Sequence, residues 1–422
     1  MKIDFSPPDI TEAEIAAVTE VLRSGWITTG ERVRQLEERL ADFCGSAGVV
    51  CMGSGTAALE MTLRLLEIGP GDEVITTAYT YSATAAAICH VGARPVLCDL
   101  PESGYLLTAA DIEPLITPRT RAVIPVDFAG MPCDYRAIKE MLWHKYTQFY
   151  PHNAIQSALG RVAIIADAAH SLGASREGVP VGALADFTCL SFHAVKNVTT
   201  AEGGAVCWRD IPGIPSNDIR GRLMRLSLHG QTKTALEKQA WGWEYDILFP
   251  GYKCNMTDMA AALGLAQLER YPELLLRRRQ LVLFYNRALE GFDLILPQHG
   301  ITGDVLSSCH LYPVGLPSYT EAARNAVIEG LADEGVAANV HYKPLPMLTA
   351  YREMGFDIRD YPTAHRCYAG EITLPLHSRM DLAQVVYTAE NLIVHAAGRG
   401  LLSGAYHPAA DDRQIIIDGE QT

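Results

Sequence analysis

The chain has 422 residues, 48% of them apolar and 20% charged, with a formal net charge of -14. This length supports a large core plus a second domain, and the composition is that of an ordinary water-soluble globular protein. The acidic balance argues against binding nucleic acid or an anionic membrane by bulk charge, while leaving room for a local basic pocket that takes a phosphate.

The N-terminus, MKIDFSPPDITEAEI, is charged early and carries two prolines, so it does not read as a signal peptide. The longest apolar runs, such as GALADFTCLSF, fall far short of a membrane span and are interrupted by Asp186. None of the 10 cysteines forms a C-x-x-C pair, and most lie in apolar stretches (Cys51, Cys89, Cys98, Cys189, Cys207). They read as buried free thiols in a reducing cytoplasm, with neither a zinc site nor a disulfide framework.

From about residue 48 to 208, short apolar runs alternate with helical patterns. GVVCM leads through Gly53-Ser54-Gly55-Thr56 into the helix-like AALEMTLRLLEI. EVITT precedes SATAAAICHV, and ARPVLCDL, RAVIPVDFAG and RVAIIADAAH each end in a polar or small residue. Such runs predict an α/β fold with a mostly parallel sheet between helices, which binds ligands at the C-terminal ends of its strands. Gly55-Thr56, Asp167, His170 and Lys196 all lie just after apolar runs. Residues 143–159, polar, aromatic and broken by proline, read as an inserted surface excursion, near the active site or a subunit contact. Residues 216–251 read as irregular. TDMAAALGLAQLERYPELLLRRRQLVLFYNRAL reads as a long amphipathic helix that breaks or kinks at Pro272. The expected division is a large domain over 1–257 and a smaller α+β domain over 258–422, with a loosely held tail after about Leu402.

The chemistry starts from Lys196, in CLSFHAVKNVTTAEGGAV. A lysine after a strand is ordinarily solvated. A Schiff-base lysine needs a partly desolvated site instead, because only the neutral amine attacks an aldehyde. Asp167 at the end of RVAIIAD could be a plain helix N-cap, yet a strand-end carboxylate also suits the ring nitrogen of pyridoxal phosphate. His170 would face the same side. Gly53-Ser54-Gly55-Thr56 opening a helix offers backbone N–H groups to an anion, and Ser191 could add a hydroxyl. In Tyr79-Thr80-Tyr81, one ring could stack on a flat pyridine. There is no G-x-G-x-x-G after the first strand, which argues against a dinucleotide site.

Taken together, SGTAAL, TTAYTYSATAAA, GARPVLCD, ADAAHSLGA, SFHAVKNVTTAEGG, LHG, GYKCNMTDMAAALGLAQL and VHYKPL resemble the DegT/DnrJ/EryC1/StrS family of sugar aminotransferases, of fold type I. The resemblance runs from about Ser24 to Val385. It implies that Lys196 forms the internal aldimine, that Asp167 pairs with the pyridine nitrogen and that His170 lies near the ring oxygen. Gly55, Thr56 and Ser191 would hold the phosphate, and Tyr81 rather than Tyr79 would stack on the ring. Lys253 and Asn255 would complete the phosphate site from a second subunit of a homodimer, and Cys254 replaces a usual aromatic. His341, Lys343 and His229 would reach the substrate. The implied reaction takes an amino group from glutamate or glutamine to a keto-sugar, most often a nucleotide-linked 4-keto-6-deoxy-hexose. Sugar phosphates and inososes are alternatives. Related dehydratases replace the lysine by histidine, so Lys196 favours transamination. A non-catalytic sensor with the same fold is the reading from another class, and the complete residue set argues against it.

Overall fold

A computed structural model describes residues 1–102, 104–144, 149–233 and 243–397. Seven short strands form the central sheet: β1 (Gly48–Met52), β2 (Glu73–Thr77), β3 (Arg94–Cys98), β4 (Thr120–Ile124), β5 (Ala163–Asp167), β6 (Phe187–Ser191) and β7 (Gly204–Trp208). Their spatial order is β1-β7-β6-β5-β4-β2-β3. Only β7 runs against the others, pairing antiparallel with both β1 and β6. The mostly parallel sheet expected from the apolar runs is present.

Alternate residues of one strand enter different cores, which is why these runs are apolar throughout. In β5, Ile164 and Ala166 pack with Leu36, Leu40 and Tyr271, whereas Ala163 and Ile165 pack with Leu59 and Leu63. A third cluster joins Ile3 and Tyr285 to an antiparallel pair, β8 (Tyr312–Gly315) and β9 (Glu371–Leu374).

Two sequence expectations fail. The helix Asp258–Ala288 runs unbroken through Pro272. The lost hydrogen bond costs about 3 kcal/mol, but Leu268 and Leu275 on either side are buried, each recovering roughly 1.5–3 kcal/mol. Ser216–Ser227, read as irregular, is a helix. Ile219 and Leu223 sit one turn apart on its buried face, a pattern masked by the seven polar residues of the same helix. None of the described residues of the excursion at 143–159 lines the cavity at the C-terminal ends of the strands. Its described end is the helix Ala154–Leu159, where Asn153 Nδ2 and Gln156 Nε2 donate to the carbonyls of Leu65 and Leu66 at 3.0 and 2.6 Å. Residues 145–148, the Trp241-Gly242 pair and the tail after Leu402 lie outside the described residues.

Asp186, which interrupts the longest apolar run, is fully buried. It accepts from Arg161 at 2.7 and 2.8 Å and from Arg209 at 2.6 Å. Truncating Arg161 strands this carboxylate in the core beside only a half-exposed partner. Arg161→Ala is therefore expected to destabilise the fold by about 3 kcal/mol, read as a lower urea midpoint. A change below about 1 kcal/mol, the range of a surface pair, would show that the pair is not stabilising.

Candidate active site

The C-terminal ends of β1, β5 and β6 open onto one cavity of about 500 Å³, within the range of small-molecule sites. Lys196 enters it from the turn between β6 and β7. That turn is fixed by Phe192 N–H to Gly203 O at 2.8 Å, Thr200 N–H to Phe192 O at 2.9 Å and Lys196 N–H to His193 O at 2.8 Å. Lys196 lines the cavity, yet protein surrounds its amine on nearly all sides. Burial pushes the pKa down to about 8, with the Asp167 carboxylate opposing.

Asp167 closes β5. Its backbone is clamped by N–H to Pro125 O and by Asp127 N–H to its own carbonyl, both at 3.0 Å. No helix follows it; Oδ1 accepts from Ala169 N–H at 3.3 Å and Oδ2 from the Thr84 hydroxyl at 2.7 Å. Burial raises its pKa, against those hydrogen bonds and the Lys196 charge. A cation near this carboxylate would relieve the cost of burying it.

His170 is held neutral by burial, reinforced by the nearby Lys196 and His341. Its Nδ1 accepts from Ala129 N–H at 3.3 Å, so Nε2 carries the proton and meets the Tyr342 hydroxyl at 2.9 Å.

The helix Gly55–Leu65 begins at the cavity, capped by Ser54, whose hydroxyl accepts from Ala57 N–H at 3.1 Å. The N–H groups of Gly55 and Thr56 point to no described protein acceptor, which makes them donors for an anion. The cradle is tight: a Cβ on Gly55 would sit 2.9 Å from Ser191 Cβ, and one on Gly204 would collide with the Ser54 carbonyl and Gly55 N. Gly204→Ala is expected to displace this turn at a cost of about 1–3 kcal/mol. Apoprotein titrated with pyridoxal phosphate should then bind it roughly 10–100-fold more weakly. Unchanged affinity would exclude the turn from cofactor binding.

Of the residues singled out in the sequence, Gly55, Thr56, Tyr81, Asp167, His170, Ser191, Lys196 and His341 line this cavity. Tyr81 is exposed to it, whereas Tyr79 is buried and donates its hydroxyl to His341 O at 2.8 Å. Lys253, Asn255, Lys343 and His229 do not line it. Lys253 and Asn255 hydrogen-bond each other, Asn255 also reaches Thr29, and Asn255 pairs with Met52 at the end of β1. His229 and Lys343 are exposed. His152 meets Asp72 at 3.1 Å, away from the cavity, and Trp243 is 84% exposed.

Sequence reasoning missed several lining residues: Phe5, Ser6, Thr84, His310 and Tyr342. Tyr342 lies inside the VHYKPL motif, and Thr84 one turn into the helix after β2, so both had a signal. Phe5 and His310 had none. Among the described residues no group of three or more His, Cys, Asp or Glu could hold a metal, and no helix is long and apolar enough to cross a membrane.

The cavity thus offers an amine of lowered pKa, a buried carboxylate, a neutral histidine and an anion cradle at a helix N-terminus. The set fits pyridoxal phosphate, which requires an amine for its aldehyde, a carboxylate for its ring nitrogen and N–H donors for its phosphate. Fold and site together define a pyridoxal-phosphate-dependent aminotransferase. The chain belongs to the DegT/DnrJ/EryC1/StrS aminotransferase family, whose model matches residues 8–393.

Spore coat polysaccharide biosynthesis protein SpsC of Bacillus subtilis is 34% identical over 93% of this chain and 97% of its own. The putative sugar aminotransferase Spr1654 from Streptococcus pneumoniae, in its PMP form, superposes with a TM-score of 0.91 at 46% identity. That match covers 94% of this chain and 98% of the other. DesI, solved in the presence of its TDP-sugar product, superposes with a TM-score of 0.78 at 26% identity, covering 94% and 95%.

Proposed function

We propose that this enzyme moves an amino group from glutamate or glutamine to a nucleotide-linked 4-keto-6-deoxy-hexose, with Lys196 as the catalytic amine. The observation that carries this reading is the desolvated Lys196 amine sharing one cavity with buried Asp167. When bound, pyridoxal phosphate supplies an aldehyde and an electron-withdrawing ring that hold the amino group between the two half-reactions.

The protein's share is positioning and proton traffic. Gly55, Thr56 and Ser191 would hold the phosphate. Asp167, braced by Thr84, would pair with the ring nitrogen and favour its protonated form. His170, whose Nε2 meets the Tyr342 hydroxyl, would lie near the ring oxygen, and Tyr81 would stack on the ring. Lys196 Nζ, when free, would serve as the base that holds the proton taken from the donor's α-carbon. His341 meets the sugar.

The division of the chain near residue 257 and a cytoplasmic setting belong to this proposal. So does a homodimer in which the partner copy brings Lys253 and Asn255 to the phosphate. Lys343 and His229 belong to the sugar side, to be approached as the acceptor binds. The nucleotide linkage draws support from DesI and its TDP-sugar product.

Incubating the holoenzyme with glutamate and a TDP-linked 4-keto-6-deoxy-hexose should yield the amino-sugar and 2-oxoglutarate in equal amounts. Glutamate conversion without amination of that sugar, but with amination of an inosose or sugar phosphate, would reassign the acceptor. A deoxygenated sugar without amination would establish a dehydratase.

A further inference from the structure

Behind His341 lies a carboxyl that none of the chemistry above uses. Glu371, the first residue of β9, is fully buried, and Thr373 two residues on is fully buried as well. Among the described residues Glu371 has no ion-pair partner. The nearby guanidinium of Arg324 donates to the backbone carbonyls of Tyr368 and Glu371, both at 2.9 Å, rather than to the carboxyl. Among the described residues the carboxyl hydrogen-bonds two groups. Its Oε2 accepts from His341 N–H at 2.8 Å, and its Oε1 hydrogen-bonds the Thr373 hydroxyl. That hydroxyl lies 2.9 Å from His341 Nδ1. An unbroken chain therefore runs from Glu371 through Thr373 to the His341 ring, whose Nε2 has no described protein partner and whose residue lines the cavity.

A hydroxyl has one hydrogen to donate. If Thr373 donates to Glu371, it can only accept from His341 Nδ1–H, and Nε2 is left as an acceptor. If Glu371 carries a proton and donates to Thr373, the hydroxyl is free to donate to Nδ1, and Nε2 must carry the hydrogen. An unpaired buried carboxylate is costly, which favours the second arrangement.

We propose that Glu371, acting through the Thr373 hydroxyl, is a positioning residue that fixes which nitrogen of His341 carries the proton. It thereby presents an Nε2–H donor to an oxygen of the sugar substrate, its keto oxygen or a phosphate oxygen. The substrate half of this inference rests on the function proposed above; the proton relay does not.

Burial pushes the Glu371 carboxyl up to about 8, against its hydrogen bonds from Thr373 and His341 and the charge of Arg324. Burial and the nearby Lys196 push His341 down to about 3, so its ring is neutral across the working range. Tyr79, Tyr105, Tyr342 and Cys367 also face Glu371, and all four are held protonated well above that range. Glu371 and Lys196 are then the groups whose charge changes near pH 8, and of the two only Glu371 is hydrogen-bonded into the chain that ends on the His341 ring. Its ionisation should turn the chain round and leave Nε2 an acceptor.

The test uses cofactor-loaded protein labelled with 15N-histidine, with the His341 ring resonances assigned by their loss in His341→Gln. Between pH 7 and about 9.5 the wild-type ring should change from the Nε2–H to the Nδ1–H tautomer. In Thr373→Val, which removes the relay hydroxyl at nearly constant volume, the tautomer should not follow pH. Thr373→Ser should restore the change.

A wild-type ring that keeps one tautomer across this range overturns the relay, as does a transition that persists in Thr373→Val. In turnover, KM for the TDP-linked keto-sugar should rise by about tenfold above pH 9 in wild type, the worth of one hydrogen bond, but not in Thr373→Val. KM for glutamate should stay flat. A tautomer change with no rise in KM for the sugar overturns the substrate contact, and an enzyme that aminates no sugar at all is instead a failure of the proposed function.

Discussion

Lys196→Ala is expected to lower kcat for amino transfer by at least about 10⁴-fold, because in the proposed reaction this amine both anchors the cofactor and moves the proton. The magnitude follows from the site's electrostatics. With its pKa pushed down to about 8, roughly a tenth of Lys196 is neutral at pH 7, against about four in ten thousand for an ordinary lysine near 10.4. Lys196 is the only lysine lining the cavity among the described residues, and the imidazoles of His170, His310 and His341 cannot replace a primary amine in linking to an aldehyde. The check is single-turnover mixing with glutamate, together with loss of the visible absorbance band of the loaded enzyme. Turnover within tenfold of wild type would remove Lys196 from the chemistry. The capture rate of pyridoxal phosphate by apoprotein should also rise with pH and level off above about 8, since only the neutral amine attacks.

Asp167→Asn should cost roughly 10²–10⁴-fold in kcat/KM, equivalent to the roughly 3–5 kcal/mol lost when one member of a buried charge pair is neutralised. The amide keeps the shape of the carboxyl and its contact with Thr84, so the fold and the phosphate cradle should be undisturbed. What disappears is the negative charge that favours a protonated ring nitrogen. Affinity for pyridoxal phosphate should therefore change far less than turnover. If both fell together by the same factor, Asp167 would be a binding group rather than an electronic one.

Much of the site could be read from the sequence because parallel sheets place their chemistry at strand ends. Asp167 and Ser191 each terminate an apolar run, Lys196 follows one within a few residues, and Gly55-Thr56 opens the helix after another. The fold was legible for the same reason: apolar runs with no alternation mark strands buried on both faces. What was not legible depends on contacts far apart in the chain. Phe5 reaches the cavity because Ile3 pairs beside Val336, and His310 does so through an irregular loop braced by Asn197 at 2.9 Å. Neither lies in a periodic pattern. The helix Ser216–Ser227 was obscured because only one edge of it is apolar. Pro272 misled because local propensity outweighed tertiary packing in the reading, while the molecule resolves the conflict the other way. Glu371 looked like any strand residue, and only the three-dimensional neighbourhood separates it from a solvated glutamate.

The first six residues tie the two walls of the cavity together. Ile3 bonds to Gly335 and Ala337, the Phe5 ring lies on His341 with centroids 5.6 Å apart, and the Ser6 hydroxyl donates to Val195 O at 3.1 Å, next to Lys196. This gives the protein a natural place for a reporter. Lys2 is exposed, its side chain 86% open to solvent, and it sits three residues from a ring that touches the substrate wall. A solvent-sensitive dye attached there after Lys2→Cys would register sugar entry as a change in colour, turning the enzyme into a probe for its own acceptor.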